Sequence, residues 1–340
     1  MLIKHPVWQA RIHRFRRNRL GFFSLIMFSL IFLACMGANL IANDKPMLVN
    51  YQNQWYFPIV KSYPETTFGG VFETETNYQD PVVKDLINQH GYMIEPVIPF
   101  ADQTPSVMRS VPFPALPNAQ NWLGTDDQGR DVLARVLYGL RVSLLFGLVL
   151  TVAGSIIGIT VGAVQGYFGG WTDLVGQRLM EVWGGLPQLF MIIILVSLFS
   201  PSVFVLFGLM LLFGWMGLVG LVRAEFLRAR NFDYVRSAKA MGVSDAKIMF
   251  RHILPNAMSS SLSQLPFILT ANITALTTLD YLGYGLPAGS PSLGELISQG
   301  KDNLDSPWLA LAGFFSLTIV LSLLIFIGEA LRDAFDPRQS

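Results

Sequence analysis

Residues 234–256 read YVRSAKAMGVSDAKIMFRHILPN, a basic, two-sided stretch between two long apolar runs. Five basic residues (Arg236, Lys239, Lys247, Arg251 and His252) alternate with small and apolar ones around a single acid, Asp245. Gly242 is a natural residue for a left-handed helix cap, so the stretch splits there into two helices. Before it, Tyr234, Ala238 and Met241 share one face, with Arg236 and Lys239 elsewhere. After it, Ser244 can cap a second helix in which Ala246, Met249, Phe250 and Ile253 form an apolar stripe. Lys247 and Arg251 stand i,i+4 on the opposite side, and Pro255 permits a sharp turn into the next apolar run. The small residues Ser237, Ala238, Ala240 and Gly242 let another surface come close. The chemistry is that of contact, and it has two readings: a loop that holds lipid headgroups, or a knob on which a soluble protein docks.

What the chain lacks is equally informative. No catalytic constellation is evident among its polar residues. His5, His13, His90 and His252 are scattered, so no metal cluster is visible, and Cys35 has no partner in the chain. The stretch GELISQGK (294–301) approaches a phosphate-binding loop, but it has one residue too many between its glycines. Asp302 also stands where a Mg-binding Ser or Thr is needed. A net charge of +1 gives no reason to expect a nucleic-acid partner.

The elements that carry the basic stretch are membrane spans. The chain is 52% hydrophobic and only 14% charged, against roughly 25% charged in a soluble domain. A bilayer core about 30 Å thick needs ~20 apolar residues in a helix. Residues 20–42, 139–164, 184–199, 203–222, 257–279 and 308–327 approach or meet that test, with Arg141 as the one charge inside them. The third lengthens backward through 174–183, where Arg178 and Glu181 can pair. A carrier coupled to protons or sodium usually keeps ionisable groups inside its spans. With none here and no nucleotide motif, the energy must come from another subunit if this chain moves solutes against a gradient.

Lys and Arg counts orient the spans. Residues 1–19 hold Lys4, Arg11, Arg14, Arg16, Arg17 and Arg19 with no acid, and are placed inside. Residues 43–120 carry eight acids against four bases and fall outside; 223–252 carry seven Lys/Arg against three acids and fall inside. The sequence thus predicts an all-α integral membrane protein of six transmembrane helices with both termini cytoplasmic. Its parts are a basic N-terminus (1–19), a retained anchor (20–42), an outer segment (43–138), a five-helix core (139–331) with its cytoplasmic loop at 223–255, and a tail (332–340). The outer segment is expected to be a partly irregular cap with a weak strand-like run at 51–60. It would end in an amphipathic helix along the surface, capped by Thr125 with Gln128 three residues on, and striped by Val132, Leu133, Val136, Leu137 and Leu140.

Gly154, Gly158, Gly162, Gly166 and Gly170 recur every fourth residue. Such steps let a second backbone approach one helix face. Packing within the chain, a seam between subunits and a translocation path all remain open.

The basic stretch resembles the coupling loop of inner-membrane permeases of bacterial ABC importers, whose pattern is Glu-Ala-Ala, a Gly after three intervening residues, and a distal hydrophobic-Leu-Pro. The matching positions are Arg236-Ser237-Ala238, Gly242 and Ile253-Leu254-Pro255, with Arg236 and Ser237 departing from the pattern. LGTDDQGRDVLARVLYGLRVSLLFG (123–147), YLGYGLPAGSPSLGELISQGK (281–301) and GEALRDAFDP (328–337) are similar to blocks of the oligopeptide and dipeptide permeases. LIANDKPMLVNYQNQWYFP (40–58) looks like the Yej-type permeases, associated with peptide and microcin C uptake. The resemblance implies a heterodimer of two permease chains in the bacterial inner membrane, two ABC ATPase subunits beneath and a periplasmic solute-binding protein above. This chain would bind no cofactor itself, with ATP and Mg in the ATPases. Ala238, Met241, Gly242 and Ser244 would sit at or near the ATPase groove, bordered by Arg236, Lys239 and Lys247. A membrane scaffold or sensor whose basic loop binds anionic lipid is the competing reading.

Overall fold

The computed structural model of the chain describes residues 6–105 and 112–335. Lys4 and residues 336–340 of the expected tail lie outside them. Helix α1 (Pro6–Arg17) stops at Asn18, whose side chain accepts the Gly21 amide at 3.1 Å and so starts α2 (Arg19–Met36). A short α3 (Ala38–Ile41) follows, and then a small β-sheet corrects the all-α expectation. Strands β1 (Leu48–Tyr51) and β2 (Gln54–Tyr56) form a hairpin over Gln52 and Asn53, both at positive φ. After helix α4 (Pro81–His90), β3 (Gly91–Ile94) pairs with the other edge of β1, all antiparallel, in the order β2-β1-β3. Val49 and Tyr51 face inward onto Phe68, Tyr78 and the α4 residues Val83 and Ile87. That period-two alternation is the sheet's signature, and strands of three or four residues make it short.

The outer end of the next helix also departs from expectation. Helix α5 runs unbroken from Val132 to Phe168, 37 residues and about 55 Å long at 1.5 Å per residue. Its N-cap is Asp131, which accepts the Ala134 amide at 2.7 Å. Thr125 caps nothing; its hydroxyl accepts the Ala115 amide at 2.8 Å. The apolar stripe Val132, Val136, Leu140 continues in phase into buried Leu144, and packs on Leu293, Leu296 and Leu309. The expected surface helix is therefore the outer part of α5, covered by protein. Buried Asp131 also accepts from the Asn121 side chain at 2.9 Å. Asp131→Ala is expected to cost about 1–2 kcal/mol, the upper range of N-cap losses, and Asp131→Asn less. Unfolding of the purified chain against SDS measures both.

Helices α6 (Gly170–Gly184) and α7 (Gln188–Val196) meet at 71° instead of forming the straight third span expected. Gly184, Gly185 and Pro187 account for the bend, because proline cannot donate to the preceding turn. Next come α8 (Val203–Gly214), a 3-10 turn (Trp215–Leu218) and α9 (Val219–Ala229). Helices α10 (Asp233–Ala240), α11 (Asp245–Lys247), a π-helical turn (Ile248–Ile253) and α12 (Leu254–Leu262) make the basic segment. Helices α13 (Leu265–Tyr281), α14 (Leu293–Asp302) and α15 (Pro307–Phe335) complete the chain.

Among the described residues, four helical stretches are long and apolar enough to cross a membrane: Arg19–Met36, Val132–Phe168, Val203–Ala229 and Pro307–Phe335. The bent pair α6–α7 makes a fifth if taken as one span. The expected span at 257–279 is divided at Ser263 and Gln264, where Pro266 restarts the helix as α13.

Contacts between helix ends show how the bundle is laid out. Gly21 lies under Ala330, and the Arg11 guanidinium sits 4.6 Å from the Phe335 ring centre, so α1 and the end of α15 share one end. At the other end, the Tyr138 hydroxyl donates to the Ala42 carbonyl at 2.9 Å and Arg141 to Asn39 at 3.0 Å. The Trp308 indole donates to the Thr125 carbonyl there at 3.4 Å. Helices α5 and α15 thus run the same way, and the basic segment lies at the end that holds α1.

Candidate functional site

The basic segment is a helical pair with one fastened side and one open side. Helix α10 closes through two reverse hydrogen bonds: the Gly242 amide donates to Lys239 O at 3.0 Å, and the Val243 amide to Ala238 O at 3.1 Å. This double closure needs a left-handed residue, and Gly242 has φ +76°. No atom lies within 4 Å of where a Cβ would stand there, so the requirement is conformational rather than spatial. Ser244 is extended at the N-cap position of α11, but its hydroxyl caps nothing; its carbonyl accepts the Ile248 amide at 3.0 Å. Pro255 sits in the first turn of α12 and no sharp turn occurs there. It lacks the N–H that an α-turn would use, and the widened π turn just before it accommodates the loss.

That π turn also shifts the buried face. The stripe read as Ala246, Met249, Phe250 and Ile253 becomes Ile248, Met249 and Ile253, leaving Ala246 and Phe250 exposed. On α10 the buried pair is Val235 and Ala238, while Tyr234 and Met241 are exposed, so the three-residue face expected there is not formed. All these buried residues join Ala163, Tyr167, Val222 and Phe226 in one cluster. The Tyr167 hydroxyl donates to Asp245 at 2.6 Å, tying the end of α5 to α11. Ala238 therefore touches the segment's own seat. On the open side stand Arg236, Ser237, Lys239, Gly242, Ser244, Lys247 and Pro255, all exposed, with Phe250 53% and Met241 75% exposed.

The seat reaches the rest of the bundle through the glycines. Gly158 lies against Trp215 O; a Cβ on Gly162 would stand 2.6 Å from Val219 O, and one on Gly166 2.5 Å from Arg223 O. Each step of four on α5 meets a step of four on its partner, so α5 and α9 run parallel and in register. Gly154 faces Gly214 and Trp215 less closely. Gly170 does not belong to the seam: α5 ends at Phe168, and nothing lies within 4 Å of a Cβ built on Gly170. Beside the seam, Asp173 of α6 holds Arg223 of α9, with Nη2–Oδ2 at 2.7 Å.

A family model described as binding-protein-dependent transport system inner membrane component matches residues 154–340, which takes in the seam and the whole basic segment. The chain belongs to this family. A second model, the N-terminal TM domain of oligopeptide transport permease C, matches residues 7–58 of the permease. The inner membrane ABC transporter permease protein YejE of Escherichia coli is 55% identical over 98% of both chains. The peptidoglycan transport system permease protein YejE of Agrobacterium fabrum is 50% identical over 98% of the permease and 94% of the relative. The oligopeptide transport system permease protein OppC of Lactococcus lactis is 36% identical over 64% of the permease and 76% of the relative. The resemblance to peptide-type permeases, and the narrower Yej-type likeness, are both borne out. The permease is a multi-pass inner-membrane subunit of an ABC importer and not itself an enzyme. The scaffold or sensor reading falls away.

Sequence reasoning missed a charged cluster at the opposite end of the permease. Asp126 Oδ1 accepts the Gln128 and Arg130 amides, both at 2.9 Å, and Oδ2 accepts Arg130 Nε at 2.7 Å. Glu295 of α14 meets Arg130 at 3.2 Å and Arg135 of α5 at 2.7 Å. Asp126 and Arg135 are fully buried and Arg130 nearly so. Burial works to lower Arg130, but Asp126 and then Glu295 hold the guanidinium above its ordinary range. Burial, and then the neighbouring Asp126 charge, push the Asp127 carboxyl up. Nothing in residue spacing joins Glu295 to Arg135, 160 positions earlier.

Proposed function

We propose that this permease forms, with a second permease chain, the pathway by which peptides or peptide-like compounds, microcin C among them, cross the bacterial inner membrane. Partner ABC ATPases, which hold the ATP and Mg, dock on the basic segment, and a periplasmic solute-binding protein delivers the solute to the other face. The observation that carries this reading is the two-sidedness of residues 233–255. Met241 and Phe250 stand exposed among Arg236, Lys239, Lys247 and Arg251, while the underside locks onto α5 and α9. A push on the open side has a rigid route into the bundle. The transport systems named for the relatives, of peptidoglycan and oligopeptides, support a peptidic solute.

The chain makes six crossings in this reading, with α6–α7 and α12–α13 as broken spans and both termini cytoplasmic beside the docking loop. Helix α6 carries no buried residue and presents its apolar side for the second permease chain. A single cysteine placed at Met241 in a Cys35→Ala background should then be labelled only from the cytoplasmic side, and one at Trp55 only from outside.

Met241→Asp is the direct test of docking, because this side chain supports nothing in the fold. In vesicles holding the complete transporter, ATP-driven uptake of labelled peptide should fall by about tenfold or more, the loss of one central contact. The ATPase should also fail to co-purify, with the permease still in the membrane. Unchanged uptake and recovery would remove docking from this loop.

A further inference from the structure

Helix α1 and the elbow at Asn18 lie at the same end as the docking loop, and the transport reading gives them no task. Between α1, the first turns of α2 and the last turns of α15 lies a cleft of about 400 Å³. Ile12, Phe15, Leu25 and Leu331 line it with Arg11 and Arg16; no acid is among the described residues that line it. Ile12 and Leu25 are each 38% exposed, so the cleft opens on the surface that faces lipid at the bundle's basic end.

The basic residues are not interchangeable surface charges. Arg11 is half-buried, with its guanidinium laid over the Phe335 ring at 4.6 Å. Burial, and then repulsion from Arg14, hold it below its ordinary value. Residues 11–19 add Arg14, Arg16, Arg17 and Arg19 with no acid between them. A partner that fits must bring hydrocarbon to an apolar floor and negative charge to its rim. It must also reach a cleft that opens at the edge of the membrane. One class does all three: basic recesses beside transmembrane helices on the positive-inside face suit anionic headgroups.

We propose that this cleft is a binding site for one anionic phospholipid, its acyl chain against Ile12, Phe15, Leu25 and Leu331 and its phosphate at Arg11 and Arg16. The bound lipid ties α1 to α15 and so fixes the first span against the core. The site stands apart from the docking loop and does not rest on the proposed function.

Native mass spectrometry of the full chain, freed from a neutral detergent, tests it by titration with phosphatidylglycerol or phosphatidylcholine of identical acyl chains. One phosphatidylglycerol should bind about tenfold or more tighter than phosphatidylcholine. Arg11→Gln with Arg16→Gln should reduce that preference to about twofold or less. Ile12→Trp keeps every charge but fills the cleft, and should weaken both lipids. Inorganic phosphate at equal concentration should not compete. Equal affinity for the two lipids, or unchanged phosphatidylglycerol binding in both variants, overturns the site. Competition by inorganic phosphate would assign it to a free anion and overturn it as well.

Discussion

Gly162→Leu is expected to abolish ATP-driven uptake and to destabilise the folded permease by about 3 kcal/mol, the upper range for overpacking. A Cβ at Gly162 would stand 2.6 Å from Val219 O, 3.0 Å from the Val222 side chain and 3.2 Å from the Arg223 amide. Two of these three atoms belong to the backbone, so no rotamer change makes room; α5 and α9 have to part. Lipid offers no hydrophobic gain for packed helices, and their cohesion comes from close contact. Separation therefore forfeits the contacts at Gly158 and Gly166 as well. The control is Gly220→Leu on α9, where nothing lies within 4 Å of the added atom. It should stay within about 0.5 kcal/mol of the parent, the ordinary range for a surface change. Unfolding of the two purified variants against SDS gives the comparison. Equal stability of the two would sink the seam as the joint of this bundle.

The same seam shows where sequence reading stopped. Spacing of four among the glycines announced a close approach, but spacing has no second partner in it, so Trp215, Val219 and Arg223 were out of reach. The loop's division at Gly242 was legible because a left-handed cap depends on one residue and its immediate neighbours. Its buried face was not: the π turn at Ile248–Ile253 breaks the 3.6-residue period on which any stripe is drawn. Ala238 reads as a contact residue in the sequence and is 4% exposed in the structure, because it packs on α5 and α9, which spacing within the loop does not show. The bend between α6 and α7 sits at Gly184, Gly185 and Pro187, which mark a candidate break in the sequence but not its angle. The sheet hides in strands too short to show alternation, and Glu295 meets its arginines only once the chain has crossed the bundle and returned.

These pieces form one mechanical path. Helices α10 to α12 share an apolar cluster with α5 and α9, so in the proposed docking a load at Met241 would reach the glycine seam directly. Helix α5 runs the length of the bundle to Asp131 and Arg135, where α14 is held by the Arg135–Glu295 ion pair as well as by apolar contact. A rigid rod pinned at both ends transmits displacement, and a loose pin at either end would waste it.

Asp126→Ala is expected to loosen that outer pin at a cost of about 3–5 kcal/mol, the range for removing one partner of a buried ion pair. Asp126 accepts from two backbone amides and from Arg130, with Arg135 Nε 3.4 Å away. Without it, two buried guanidiniums face Glu295 alone, and the loop into α5 loses its turn. Asp126→Asn should lose less, because its amide oxygen still accepts the Gln128 and Arg130 amides. A second substitution separates charge from packing. Asp126→Ala with Arg130→Met removes the uncompensated cation together with its partner, and should recover part of the loss. SDS unfolding of the purified single and double variants reads the difference, and uptake in vesicles should follow it. If the double variant is as unstable as the sum of the singles, the loss lies in the turn that Asp126 closes, and the paired charges contribute little beyond it.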